Sequence, residues 1–220
     1  MARTSAPTRE ALYRAGLRRF AAEGWQAARV RDIVADAGQA NDSAINYHFG
    51  SRRGLLEEVL ARGVARQEDE RRADLRRWAA APPDLAEAVR AVVSPLADLL
   101  ADDEGRDTLR VIAQVGALAE LRATAGAGRT VTAAPVAGTA LQEQLAVLVA
   151  AAADRCGQET AEQRVRRLIV MLTAELAVRA ADLDADPSRA PEHGVYVADI
   201  VDGFAAALAR PAVSRPAVMR

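Results

Sequence analysis

The sequence predicts an all-α protein. Ala, Leu, Arg and Glu, which are strong helix formers, are abundant, whereas aromatic residues make up only 4% of the chain. Alternating runs of Val, Ile, Thr and Tyr are hard to find, so β-strands have little support. With 220 residues, half of them hydrophobic, the chain is long enough to bury a sizeable core. About nine helices fit the apolar periodicity.

Glycine and proline residues mark where these helices end. Gly24, Gly38 and Gly50 follow the first three, and Pro82-Pro83 separates the fourth from the fifth. The segment 124–139, rich in Gly, Ala and Thr, is expected to be a mobile connection. The predicted helices run from near Thr8 to Gly24, over 30–37, over 42–49, from a Ser51 cap past Trp78, from an Asp84 cap to about 100, and over 107–123, 140–156, 160–184 and 195–209.

The charges nearly cancel overall but are unevenly distributed. The 29 basic residues, all of them Arg, and 30 acidic residues give a net charge of −1. This balance excludes a globally basic nucleic-acid coat and an acidic disordered tail. Residues 1–56 carry nine Arg against five acidic residues, an excess of four positive charges. A basic N-terminal unit of three short helices is therefore joined to a larger acidic helical body.

The cysteine and histidine content argues against several kinds of site. The single Cys156 forms neither an internal disulfide nor a multi-thiolate zinc site, and a small buried residue is favoured over a redox sensor. His48 and His193 are not spaced as metal ligands, so neither a metal nor a cofactor is expected. The longest apolar run, 145–153, is far shorter than the roughly 20 residues that span a bilayer. No signal-peptide core begins the chain, and a cytoplasmic protein without membrane contact is expected.

Helices 30–37 and 42–49, separated by a tight glycine turn, have helix-turn-helix spacing. The second carries short polar and aromatic side chains suited to base edges in the major groove, and arginines suited to phosphates flank it. The alternative for such a pair is an ordinary αα-corner with a solvated charged face. The predicted DNA-contacting residues are Arg29, Arg31, Asn41, Asp42, Ser43, Asn46, Tyr47, His48, Arg52 and Arg53.

Two stretches of this region resemble the N-terminal domain of TetR-family transcriptional regulators. Residues 31–38 read RDIVADAG, and residues 44–56 read AINYHFGSRRGLL. The family pattern is a helix ending in Ala-Gly, a recognition helix ending in a Tyr-x-His-Phe-type signature, then Ser-Lys-Glu and a Leu pair. The resemblance covers roughly residues 8–64.

The sequence also departs from that pattern. The turn 38–43 is one residue longer than the commonest version, Asn46 stands where Tyr is usual, and Ser51-Arg52-Arg53 replaces Ser-Lys-Glu. The register of base contacts is therefore open by one position. Two roles also stay open for Asp42. It either caps the start of the recognition helix, which is the favoured role, or accepts a hydrogen bond from the N4 amino group of a cytosine. His48 either contacts phosphate or packs between the third and fourth helices, and Phe49 is expected in the core.

The resemblance implies a division into a helix-turn-helix DNA-binding domain at 1–50, an effector-binding and dimerisation domain at 51–210 and a C-terminal tail at 211–220. It implies a homodimer that binds double-stranded, palindromic operator DNA, most often as a repressor, and is released by a small hydrophobic effector. An enzyme and a helical adaptor that binds only protein are the rival classes. No phosphate loop or nucleophile elbow supports the enzyme.

Two residue sets in the body follow from these implications. Apolar stripes near the C-terminus suit a four-helix dimer interface, with closure of the protomer's own core as the alternative. Polar residues within apolar stretches suit an effector pocket, although each also suits the surface. The predicted interface residues are Leu168, Leu172, Leu176, Ile200, Phe204 and Leu208, and the predicted pocket residues are Trp78, Arg110, Gln114, Met171 and Glu175.

Overall fold

The computed structural model describes residues 5–124 and 139–212, without the side chains of 117–124 and 189. Within these residues nine α-helices and two short 3₁₀ segments, Asp98–Ala101 and Pro187–Arg189, follow one another without a strand, so the all-α prediction is confirmed. The helices are α1 (Ser5–Glu23), α2 (Val30–Asp36), α3 (Ser43–Phe49), α4 (Arg52–Ala80), α5 (Leu85–Ala97), α6 (Asp103–Thr124), α7 (Thr139–Cys156), α8 (Gln158–Ala185) and α9 (His193–Ala209).

Local capping explains where several helices begin. The side-chain oxygens of Ser51 and Asp84 each accept the amide N–H three residues later, at 2.9 and 2.8 Å, and these caps start α4 and α5 as predicted. Asp102 acts in the same way on the amide of Gly105, at 2.7 Å, so α6 starts before its predicted position at 107. α5 ends at Ala97 rather than near 100, because the chain tightens into the first 3₁₀ segment.

Buried side chains form two hydrophobic clusters. The N-terminal cluster combines α1, α2, α3 and the first turns of α4, with Phe20, Ile33 and Leu55 at its centre. The second cluster fills the body between α5, α6, α7, α8 and α9. The 29-residue α4 belongs to both halves, since its second half packs against α5 and α7. The first turns of α4 close the N-terminal cluster. The domain boundary expected at residue 50 stays a prediction.

α6 is the other element that contacts both halves. It packs against α1 on one side and α8 on the other. Its Val111 is fully buried in the N-terminal cluster. Its Arg106 and Arg110 both form ion pairs with Asp184 of α8, the first at 2.6 Å. The orientation of α1 relative to the body is therefore set by α4 and α6 together.

Two expectations concern parts of the chain outside the described residues. The predicted mobile connection 124–139 falls on 125–138, and most of the predicted tail 211–220 falls on 213–220. In the part that the structure describes, no helix combines the length and apolar character needed to cross a membrane.

Candidate nucleic-acid interface

The turn between α2 and α3 depends on a glycine in the left-handed region. Gly38 has φ of +66°, and its N–H donates to the carbonyl oxygen of Ala35 at 2.9 Å. The N–H of Gln39 donates to the carbonyl oxygen of Val34, also at 2.9 Å. This pair of bonds is a Schellman motif, in which glycine avoids the strain that a Cβ would cause. The motif ends α2 sharply and turns the chain towards α3.

Asn41, rather than Asp42, caps the start of α3. The Oδ1 atom of Asn41 accepts the N–H of Ser43 at 2.9 Å, and its carbonyl oxygen accepts the N–H of Ala44 at 3.0 Å. Asp42 has helical backbone angles and makes no capping hydrogen bond. The favoured interpretation of Asp42 as the cap is therefore wrong, and its carboxylate lies at the exposed start of the helix.

α3 has one packed face and one exposed face. Ile45 is 1% exposed and anchors the helix in the N-terminal cluster. Ser43, Asn46 and Tyr47 are exposed, and Tyr47 retains 80% of its accessible surface. Within the described residues the side chains of Asn46 and Tyr47 make no hydrogen bond, and Tyr47 only stands edge-on to the His48 ring, with 4.9 Å between centroids. Their polar groups are therefore available to an external partner.

Three of the predicted flanking arginines are exposed. Arg29 precedes α2, and its side chain is exposed and has no hydrogen-bond or ion-pair partner among the described residues, while its carbonyl oxygen accepts N–H groups of the first turn of α2. Arg31 and Arg53 pair with acidic residues one and four positions away, at 3.3 and 2.9 Å, and their side chains are 68% and 80% exposed. Exposed pairs of this kind contribute little stability. These guanidinium groups can therefore exchange their partners for a phosphate at little cost.

Arg52 is engaged within the protein. Its Nη1 atom donates to the carbonyl oxygens of Gln26 and Ala28, at 3.1 and 3.0 Å, and its guanidinium lies 5.7 Å from the Trp25 ring centroid. Arg52 thereby fastens the loop between α1 and α2 to the start of α4. The structure gives it a positioning role, while the predicted phosphate contact stays a prediction.

The two aromatic residues that end α3 pack against their neighbours. His48 is half-buried, and its ring centroid lies 4.9 Å from that of Tyr47 and 6.4 Å from that of Phe49, both on α3, so its two alternative roles stay predictions. Phe49 is half-buried against the N-terminal cluster, and the Arg9 guanidinium lies 4.9 Å from its ring centroid. Phe49 thereby holds the end of α3 against the N-terminal cluster and α1.

The side chains predicted to form a dimer interface lie mostly inside the protomer. Leu172 and Leu176 are fully buried in the second cluster, and only Phe204 is half-buried. They close the protomer's own core, which is the alternative that the sequence left open. The opposite face of α8 exposes other apolar side chains instead. The six predicted residues are Leu168, Leu172, Leu176, Ile200, Phe204 and Leu208.

The five side chains predicted to line an effector pocket are dispersed. Trp78 is buried, and its Nε1 donates to a carboxylate on α5 at 3.1 Å. Arg110 is paired with α8, and Gln114 donates to a carbonyl oxygen on α1 at 3.3 Å. Met171 and Glu175 lie on the exposed face of α8. As placed, the five do not line one cavity.

A buried polar cluster that was not predicted from the sequence lies between α4 and α7 and consists of Gln67, Arg71, Asp74 and Gln144. All four side chains are less than a tenth exposed, and Gln144 is fully buried. Burial lowers the pKa of Arg71 to about 10, so the guanidinium stays charged at neutral pH. The spacing could have revealed the cluster: positions 56, 60, 63, 67, 71, 74 and 78 recur every three or four residues, which places the polar members in phase with the leucines.

Cys156 and the acidic residues were also examined as possible ligands. Cys156 is 7% exposed and its Sγ lies 3.4 Å from the Ala152 carbonyl oxygen, in agreement with a small buried residue. The described residues contain no group of three or more His, Cys, Asp or Glu side chains arranged to hold a metal ion.

Comparison with known proteins identifies the N-terminal unit. Residues 12–59 match the family model of bacterial regulatory proteins, tetR family. This match runs from residue 12 within α1 through α2, the turn at Gly38 and α3 to the first turns of α4. No curated protein matches the chain significantly.

Solved structures resemble the chain over nearly its whole length. A transcriptional regulator from Rhodococcus sp. Rha1 is 21% identical, with a TM-score of 0.50, over 91% of this chain and 95% of that chain. A TetR-family regulator from Streptomyces coelicolor A3 is 19% identical, with a TM-score of 0.41, over 92% and 95% of the two chains. GusR from Salmonella enterica is 14% identical, with a TM-score of 0.41, over 91% and 96%.

The family match, the exposed recognition helix and the all-α body agree with one another. Regulators of this family are transcription factors without enzymatic activity. Residues 12–59 therefore match the tetR family of bacterial regulatory proteins, and the chain shares the fold of the solved transcriptional regulator from Rhodococcus sp. Rha1.

Proposed function

We propose that the protein is a repressor that binds a palindromic operator as a homodimer and leaves it when a small effector binds the body. The observation that carries the proposal is the exposed face of α3, where Ser43, Asn46 and Tyr47 present unpaired polar groups. Because bacterial operators lie in the cytoplasm, we infer that the protein acts there.

The side chains around α3 divide into two groups by chemistry. Ser43, Asn46 and Tyr47 carry hydrogen-bonding groups on the helix itself, where they would read base edges in the major groove. Arg29 and Arg53 are exposed cations beside it, where they would neutralise phosphates without reading sequence. The arginines would thus set the position of the protein along the duplex, and α3 would set which base sequence it prefers.

A dimer is proposed because one helix of seven residues reads too few base pairs for useful selectivity. Met171, Ala174 and Val178 lie three to four residues apart on the exposed face of α8, and Met171 and Val178 are 61% and 59% exposed. Val195 on α9 is 62% exposed. Large apolar side chains left in water favour association, so this face, rather than the buried leucines, would pack on its copy across a twofold axis.

The proposal is tested by binding of purified protein to duplex DNA that flanks its own gene. We expect a salt-sensitive, sequence-selective complex of two chains, with half-sites about one helical turn (roughly 34–36 Å) or a multiple apart. Asn46→Ala and Tyr47→Ala should each cost about 1–3 kcal/mol at particular base pairs. An adaptor that binds only protein would give no such complex, and equal affinity for unrelated DNA would contradict the operator.

A further inference from the structure

The buried polar cluster is unusual because its cation has only neutral acceptors. Arg71 is 2% exposed, and its Nη1 donates to the Gln144 Oε1 at 2.7 Å and to the Ala91 carbonyl oxygen at 3.2 Å. Its Nη2 donates to the Gln67 Oε1 at 2.6 Å. None of these three bonds goes to a carboxylate, although the charges of Glu70, Asp74 and Glu68 nearby favour the charged form of Arg71 against the effect of burial.

Asp74, the acid of this four-residue cluster, is satisfied by other groups. Asp74 accepts the Nε2 of Gln144 at 3.1 Å, and its second oxygen pairs with Arg77 at the surface, at 2.8 Å. Gln144 therefore stands between a guanidinium and a carboxylate, accepting from one and donating to the other. A buried cation that donates only to neutral acceptors regains only part of the hydration that burial removes.

We propose that Arg71 is the anchor for the carboxylate of an apolar organic acid, which displaces Gln144 from the guanidinium. A carboxylate matches the guanidinium fork with two charge-assisted bonds, where the amide of Gln144 offers one neutral acceptor. The residues near these acceptors in sequence are apolar. Ala88 and Val92 lie close to Ala91 on α5, Leu148 follows Gln144 by one helical turn on α7, and all three are fully buried, so the apolar part of the ligand would enter by displacing packed core side chains.

The position of Arg71 on α4 connects this site to the DNA-binding half of the protein. α4 begins at Arg52, beside the recognition helix, and carries Arg71 in its second half. A ligand that changes the packing of α4 against α7 would move the N-terminal cluster relative to the body, provided that it prefers one arrangement of the two. This inference names the effector class for the repressor proposed above and rests on that function.

The probes are octanoate, benzoate and phenylacetate, each paired with its neutral amide. We expect the carboxylates, and not the amides, to raise the Tm of the wild-type protein at constant ionic strength. Arg71→Met should weaken carboxylate binding about tenfold or more in calorimetry. Because that variant also risks the fold, Gln144→Ala is the second variant: it removes the internal competitor and should bind carboxylate more tightly.

Three results would overturn the inference. They are equal stabilisation by acids and amides, no stabilisation by any of the three acids, and unchanged or weaker carboxylate binding by Gln144→Ala. The last would show that the cluster only supports the fold. Because binding is measured without DNA, it is independent of the gel shift. If the protein binds DNA sequence-selectively but binds none of the three acids, the result contradicts this inference and leaves the proposed repressor function supported.

Discussion

The hydroxyl of Tyr13 on α1 donates a hydrogen bond to the Oε1 of Glu104 on α6, at 3.1 Å. The Tyr13 side chain is almost fully buried, and the Arg62 guanidinium of α4 lies 3.8 Å from its ring centroid. Burial, with the charge of Glu104, raises the pKa of Tyr13, so the hydroxyl stays protonated as the donor. This side chain thus contacts both helices that join the DNA-binding half to the body.

Tyr13→Phe should lower the free energy of unfolding by about 1.5–3 kcal/mol, because it leaves a charged acceptor without its donor while keeping the ring. Urea unfolding measures the change. Tyr47→Phe is the matched control, since that hydroxyl is exposed, and its effect should stay within about 0.5 kcal/mol. Equal effects of the two substitutions would show that the bond to Glu104 contributes nothing.

The neighbouring residues Arg52 and Arg53 should behave differently. Arg52→Ala removes two bonds to backbone carbonyl oxygens and should cost about 1–3 kcal/mol of stability. Arg53→Ala should leave stability nearly unchanged and lower the salt slope of log K for DNA by about one unit, as expected for a lost phosphate contact. Urea unfolding and salt-dependent anisotropy separate the two. If Arg52→Ala keeps wild-type stability but lowers the salt slope of log K, Arg52 contacts a DNA phosphate instead of fastening the loop.

Gly54→Ala should disrupt the junction of α3 and α4. A Cβ at Gly54 would overlap the carbonyl oxygen of Phe49. Because this oxygen belongs to the backbone, it cannot move aside as the end of a flexible side chain could. We expect a loss of about 1–3 kcal/mol in stability and weaker binding to all DNA. Gly116→Ala is the control: its Cβ would meet only the Thr173 hydroxyl at 3.9 Å, so better helix propensity should make it neutral or stabilising. Similar melting temperatures of the two variants would contradict this packing.

Acid should weaken the contact between α1 and α4. The hydrogen bond from Arg9 holds the pKa of Glu58 below its usual 4.5, with burial opposing it and Arg62 adding to it. Because the unfolded chain protonates first, the stabilisation is present above about pH 4.5 and is lost as pH falls through the folded pKa. Glu58→Gln should flatten this part of the pH profile in urea unfolding between pH 3 and 6. Glu143→Gln, exposed on α7, should leave the slope unchanged.

Val178→Glu should dissociate the proposed dimer without unfolding the protomer. The side chain is 59% exposed, so a carboxylate there costs the protomer little but would be buried at an interface. Sedimentation should show monomers at concentrations where the wild type is a dimer, with helical circular dichroism retained. Ala146→Glu, exposed on α7, should remain dimeric. A dimeric Val178→Glu protein would place the interface elsewhere.

Features set by neighbours in sequence could be predicted. The caps at Ser51 and Asp84 and the stop at Gly38 each depend on atoms within about four residues, so the residue types reveal them. The start of α6 at Asp103, ahead of the predicted 107, was not predicted, although the Asp102 side chain caps the amide of Gly105 only three residues later. The missing Cβ of Gly105 allows this residue to approach the carbonyl of Leu99 closely, which is a contact between positions that the helix pattern does not pair.

The sequence by itself determined the all-α class, most helix ends and the position of the recognition helix, because these follow from periodicity and short-range hydrogen bonds. Only the tertiary structure decided which side of each helix is buried. It turned Leu172 inward and Val178 outward on α8, and it placed Arg71 against Gln144, which lies 73 residues further along the chain. Burial depends on helices that are distant in sequence, and an amphipathic pattern does not name the partner against which it packs.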